Sequence, residues 1–236
     1  MTKDKLKNIS VDFLLGFLAG VSISIGGMVN IASGSKIGGA IMFCVGLFLV
    51  LTLNFNLFTG KVCYIFENKP SYLLKLAVIW ISNLCGCVAC GYILRSTRLI
   101  SFAGVCENIV STKLNDSLWS LFVLAIFCNI LIFVAVDGFK NRKSDLGKYL
   151  SLFFGVSVFV VAGFEHCVAD MFYFSFANMW SGRAWLCIVV ITLGNCVGGL
   201  MLPAMTKLIS RLQKQKELDS TDVDNGENWF VFAYWH

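Results

Sequence analysis

The stretch GFEHCVADMF, Gly163 to Phe172, places an acid, an imidazole and a second acid inside an otherwise apolar run. Neighbours on a regular helix point about 100° apart, so Glu165 and His166 are no side-by-side pair unless the helix breaks. Gly163 permits such a break. On that reading Glu165 accepts hydrogen bonds from backbone amides freed by the break, and His166 lines a pore. The alternative is a buried histidine hydrogen-bonded to a neighbouring helix. Imidazole has an unperturbed pKa of ~6.5, so its proton is negotiable near neutral pH. An anion and an imidazole can share that proton, and the resulting weak acid crosses an apolar constriction at lower cost than a bare charge.

A second interruption is NFNLFTGK, Asn54 to Lys61. Thr59 can donate or accept a hydrogen bond. Leu57 and Phe58 beside it make either an apolar gate or plain core packing. Asn129, in FCNILIF, is expected to hydrogen-bond a substrate or a loop. Lys113 precedes the fourth apolar run; at a pore mouth it would attract anions, and otherwise it is a solvated surface lysine. Of the ten cysteines, only Cys106 falls outside the apolar runs, and they read as small, soft, buried residues. Cys85, Cys87 and Cys90 have no histidine or acid close by in sequence, which argues against a metal cluster.

The elements that must position these groups follow from hydropathy. The 236 residues are 57% hydrophobic and 14% charged, where a soluble domain is about a quarter charged. The chain reads as an all-α integral membrane protein. Six runs are long enough to span a bilayer: Phe13 to Ala32, Ile37 to Phe66, Tyr72 to Leu94, Leu118 to Val136, Leu150 to Phe174 and Ala184 to Leu208. Residues 1–12 are expected to be a cytoplasmic amphipathic segment, 13–208 a six-helix transmembrane channel domain, and 209–236 a cytoplasmic polar tail ending in the aromatic run NWFVFAYWH. Arg95 to Ser117 is expected as the longest external loop.

The two halves echo each other. Asn-x-x-Gly occurs in the third run of each, as Asn83 with Gly86 and Asn195 with Gly198, and the second run of each is interrupted. Three spans per half imply opposed orientations, an inverted 3+3 repeat in which broken helices 2 and 5 point to the transport site. Small residues four apart, Gly16 with Gly20 and Gly194 with Gly198, suit close helix packing. Lys and Arg at alternate run ends number thirteen on one side and five on the other (Lys36, Arg95, Arg98, Lys113 and Arg183). Both termini are therefore expected in the cytoplasm. That asymmetry accounts for the net charge of +5 without a nucleic-acid partner.

With these motifs the sequence resembles the formate/nitrite transporter family. LFTGK is similar to the loop in the family's broken second helix, and GFEHCVADMF to its GFEH-S-x-A-N-MF motif. CNILIFVAV resembles the asparagine-bearing fourth helix, and LGNCVGG the sixth. The resemblance implies an aquaporin-like fold in the cytoplasmic membrane, a homopentamer with one pore per protomer, a small monovalent anion as substrate, and no cofactor. It puts His166, Thr59 and Asn129 at the pore centre and Lys113 in a vestibule. Leu57 and Phe58 would form one constriction; Phe43, Leu47 and Phe159 would form the other. Glu165, Gly163 and Asp170 would support the helix break. Asp170, Gly60 and Lys61 depart from the family pattern and suggest a divergent branch, with hydrosulfide favoured over formate or nitrite. Asp170 is expected to be hydrogen-bonded away from the lumen. The rival readings are a neutral-solute channel of water-like substrates and a membrane thiol oxidoreductase using Cys87 and Cys90.

Overall fold

The computed structural model describes the backbone of residues 3–221 and the side chains of residues 7–215. The run NWFVFAYWH lies outside the described residues. Within them the chain is all-helical. The elements are α1 (Lys3–Ala32), α2 (Lys36–Thr52), α3 (Phe58–Lys61), α4 (Tyr72–Arg95), α5 (Ala103–Asn115), α6 (Leu118–Asn141), α7 (Asp145–Ala162), α8 (Cys167–Ala177) and α9 (Gly182–Thr221).

Among the described residues, α1, α4, α6, α7 and α9 are long and apolar enough to cross a membrane; α2, with 17 residues, and α8, with 11, are shorter apolar helices. In hydrocarbon every backbone polar group needs an internal partner, which favours helices over irregular chain. Serines close the starts of the helices that follow tight returns. Ser35, Ser117 and Ser144 each accept the amide three residues on, at 3.1, 3.0 and 3.4 Å.

Three elements differ from the sequence expectation. Residues 3–12 are the opening turns of α1 and not a separate helix. Helix α9 continues past Leu208 to Thr221, because the polar residues beyond it are good helix formers. The expected loop from Arg95 to Ser117 is mostly the 13-residue helix α5, whose buried face carries Cys106, Val110 and Lys113.

The molecule is apolar outside, and its largely apolar core encloses a group of polar side chains. Leu14, Leu73, Trp119 and Leu193 are exposed, whereas Asn83, Asn129, His166, Asp170 and Asn195 are buried. This inversion suits lipid as the outer solvent. Helix α1 packs on α4, and α6 on α9. Glycines set both contacts: a Cβ on Gly86 would lie 2.2 Å from the Phe17 carbonyl oxygen, and one on Gly198 would lie 2.1 Å from that of Ile126. The backbones approach so closely that no other residue fits. Most of the cysteines are buried, as expected, but Cys85 is exposed on the outer face of α4.

Candidate functional site

The helical chain is interrupted twice, and the same construction closes both interruptions. Asn54 (φ 55°) and Gly163 (φ 74°) take the left-handed conformation just after α2 and α7. The next amide folds back in each case: Phe55 N donates to Val50 O at 2.9 Å, and Phe164 N to Phe159 O at 3.0 Å. Helix then restarts at Phe58 and at Cys167. Each restart leaves an amide that the previous turn cannot satisfy.

A buried asparagine takes that amide both times. Asn83 Oδ1 accepts from Phe58 N, and Asn195 Oδ1 accepts from Cys167 N, each at 2.9 Å. Asn83 Nδ2 donates to Gly16 O and Asn56 O; Asn195 Nδ2 donates to Ala125 O and Glu165 O. The expected job of Glu165, accepting the freed amides, therefore belongs to Asn195. The sequence signal was present in the repeated Asn-x-x-Gly. That repeat is the clamp itself and not only a trace of duplication.

The side chains of Thr59 and His166 meet where the two interruptions face each other. His166 Nε2 lies 2.9 Å from Thr59 Oγ1, and both residues are buried. His166 also caps α8: its Nδ1 accepts the amide of Ala169 at 3.1 Å. An Nδ1 that accepts carries no proton, so the ring proton sits on Nε2 and points at Thr59 Oγ1. The threonine hydroxyl proton is then left to donate elsewhere. His166 takes a second proton only by giving up the Ala169 amide.

Asn129 supports Thr59 from behind. Its Nδ2 donates to Thr59 O at 3.1 Å and to Asn195 O at 2.7 Å. Of the two partners expected for Asn129, it is backbone that occupies the amide nitrogen, while Oδ1 has no hydrogen-bond partner among the described residues.

Two cavities flank this centre. The first, of about 590 Å³, is lined by Phe43, Phe159, His166, Lys113 and Asp170 among others. The second, of about 270 Å³, is lined by Leu47, Val50, Leu57, Gly60, Lys61 and Lys140 among others. No residue lines both, so the cavities are separate in this conformation. Phe159 stacks on His166 at 5.7 Å and meets Phe43 edge-on at 5.8 Å. The expected grouping of Phe43, Leu47 and Phe159 is therefore divided. Phe43 and Phe159 border the first cavity, and Leu47 borders the second with Leu57. Phe58 is buried beside them and lines neither.

Lys113 is neither free nor solvated. Its Nζ donates to Glu165 Oε2 and lies 2.9 Å from Asp170 Oδ1, with all three residues buried. Two carboxylates share one ammonium, a geometry that resists loss of any single member. Asp170 thus has a polar partner in Lys113, but it does not turn away from open space as expected. It lines the first cavity, and its Oδ2 has no hydrogen-bond partner among the described residues.

The family model described as "Formate/nitrite transporter" matches residues 1–209. A probable formate transporter of Methanothermobacter thermautotrophicus is 29% identical over 233 residues, covering 81% of this chain and 85% of its own length. A formate channel of Bacillus thuringiensis is 28% identical over 213 residues, covering 79% and 81%. The solved structure of a pentameric formate channel with formate bound superposes with a TM-score of 0.76 at 26% identity, covering 87% of this chain and 98% of that one. These relatives are channels and transporters, not enzymes, which removes the thiol-oxidoreductase reading. An all-helical membrane chain with two asparagine-clamped interruptions meeting at Thr59 and His166, matched by the family model over residues 1–209, belongs to the formate/nitrite transporter family.

Proposed function

We propose that this protein carries small monovalent anions across a membrane, through a passage that runs by Thr59 and His166 in each protomer of a homopentamer. The observation that carries the reading is the Thr59–His166 hydrogen bond, which joins the two interrupted segments between two cavities. The pentameric state is supported by the solved relative that is itself a pentamer.

On this reading the chain crosses the bilayer six times as an inverted 3+3 repeat, with α2–α3 and α7–α8 as the two broken crossings. Residues 13–208 form the channel, 209–236 form a cytoplasmic tail, and both termini face the cytoplasm. The matched construction at Asn54 and Gly163 supports the repeat. Phe43, Phe159, Leu47 and Leu57 form the apolar collar that excludes hydrated ions, with Phe58 packed behind it. An anion admitted past the collar receives the Thr59 hydroxyl proton as a hydrogen bond, while His166 Nε2–H holds the threonine oxygen. Such a donor offsets part of the desolvation of the charge. Asn129 and Asn195 hold Thr59 and the break in place. Glu165 and Asp170 hold Lys113 at the first mouth.

The departures at Gly60, Lys61 and Asp170 mark a divergent branch, and among formate, nitrite and hydrosulfide this reading favours hydrosulfide. Flux of formate, nitrite, hydrosulfide and chloride into proteoliposomes, each at two pH values, tests the proposal. Saturable flux of at least one weak-acid anion is expected. Water flux without any anion current would instead establish a neutral-solute channel.

A further inference from the structure

The second cavity contains two lysines and no acid in its lining, Lys61 and Lys140. Neither has a carboxylate within ion-pair distance among the described residues. The acids nearby are engaged elsewhere. Asp12 is held by Lys75 at 2.8 Å and by Asn56 at 3.0 Å. Asp137 accepts from Asn141 at 2.7 Å and, with Glu67, lines a different cavity. The contact of the Lys140 ammonium is the face of Tyr64, 4.5 Å from the ring centroid.

The position of Lys61 sharpens the contrast between the two mouths. It stands three residues after Phe58, whose amide Asn83 captures; Asp170 stands three residues after Cys167, whose amide Asn195 captures. The same place in the repeated construction therefore bears a cation at one mouth and an anion at the other. At the Asp170 mouth, Lys113 is tied to two carboxylates, and Lys36 lines the same cavity. At the Lys61 mouth both lysines line a half-open cavity of about 270 Å³ together with Leu47, Leu57 and Phe139. Apolar walls around charges of one sign focus their field on the opening.

We propose that this second cavity is a binding site for a small monovalent anion, contacted by Lys61 and Lys140, and that anions gather here and not at Lys113. The proposal rests on the transport reading above. Leu47 and Leu57 remove water from one side of the bound anion, and the lysines replace that water with charge. The collar lies directly beyond.

The test is the initial rate of formate entry into proteoliposomes as a function of formate concentration, at low and high ionic strength. It is paired with calorimetric titration of formate onto the detergent-solubilised protein. Lys61→Gln and Lys140→Gln are each expected to raise the half-saturating concentration at least about threefold and to flatten its dependence on salt. Lys61→Arg should retain both. Lys207→Gln, altered in the separate cavity lined by Glu67 and Asp137, should behave as wild type. Wild-type saturation and salt dependence in both glutamine variants would overturn the site while leaving the transport reading intact. Where the wild type carries no anion, calorimetric binding that is lost in Lys61→Gln still upholds the site. The absence of both flux and binding overturns it. If Lys61→Gln does not fold, Lys140→Gln carries the same expectation.

Discussion

Asn83 and Asn195 perform one task in two places: each accepts a restarting helix's first free amide at 2.9 Å and spends its own amide nitrogen on two carbonyls. Each side chain satisfies two backbone groups of the irregular chain that lipid could not, the restarting amide and the carbonyl two residues before it, and ties them to a carbonyl of a neighbouring helix. The interruptions exist because these two residues make irregular backbone tolerable at membrane depth.

Asn195→Ala should therefore lower stability more than its small loss of volume suggests. The Cys167 amide and the Glu165 carbonyl lose partners, each worth about 1–3 kcal/mol when left unsatisfied, while Ala125 O keeps its bond within α6. The expected outcome is a clear drop in the thermal midpoint of the detergent-solubilised oligomer, with an equal drop for Asn83→Ala. An unchanged midpoint in both would mean that the clamps are dispensable.

His166→Phe should abolish anion flux while the oligomer stays intact, since phenylalanine keeps the stack on Phe159 and removes the Nε2–H donor. Thr59→Val keeps the shape and removes the hydroxyl. Loss of one hydrogen bond worth roughly 1–1.5 kcal/mol predicts flux reduced about tenfold. Wild-type flux in both variants would take the pair out of the mechanism.

Lys113→Met should be more damaging than any change to its partners. It leaves two buried carboxylates facing each other without a cation, a loss of about 3–5 kcal/mol. Asp170→Asn in the same chain should restore part of the lost folded yield, read as the fraction of monodisperse protein by size exclusion. A single Lys113→Met variant as stable as wild type would show that the triad is not a structural unit.

Gly198→Leu should separate α6 from α9. The added side chain begins 2.1 Å from the Ile126 carbonyl oxygen, which is backbone and cannot swing aside. Failure to assemble is expected by size exclusion, whereas Gly104→Ala, with no atom within 4 Å of the new Cβ, should be silent.

The interruptions were legible because they contradict their surroundings. Polar residues in NFNLFTGK and GFEHCVAD cost too much in an apolar run to be there without a task. The identity of the group that closes them was not legible, since Asn83 and Asn195 act across 25 and 28 residues of chain. Lys113 was placed at a mouth by resemblance, yet its state depended on two acids that α8 and the preceding break bring to it. Helix α5 was missed because a short amphipathic segment between two spans has no hydropathy signal of its own.

Composition and hydropathy alone determined an all-helical chain for a lipid solvent, the two places where its apolar runs are interrupted, and the polar residues that belong there. Those properties are local: they follow from what neighbours in sequence cost in hydrocarbon. Only the tertiary structure decided which asparagine clamps which break, that His166 keeps Nδ1 occupied and aims Nε2 at Thr59, and that Lys113 is tied to two acids at one mouth while Lys61 and Lys140, at the other, have no ion pair among the described residues. These are properties of pairs far apart in the chain. Their energies exist only once packing has brought the partners within hydrogen-bonding distance.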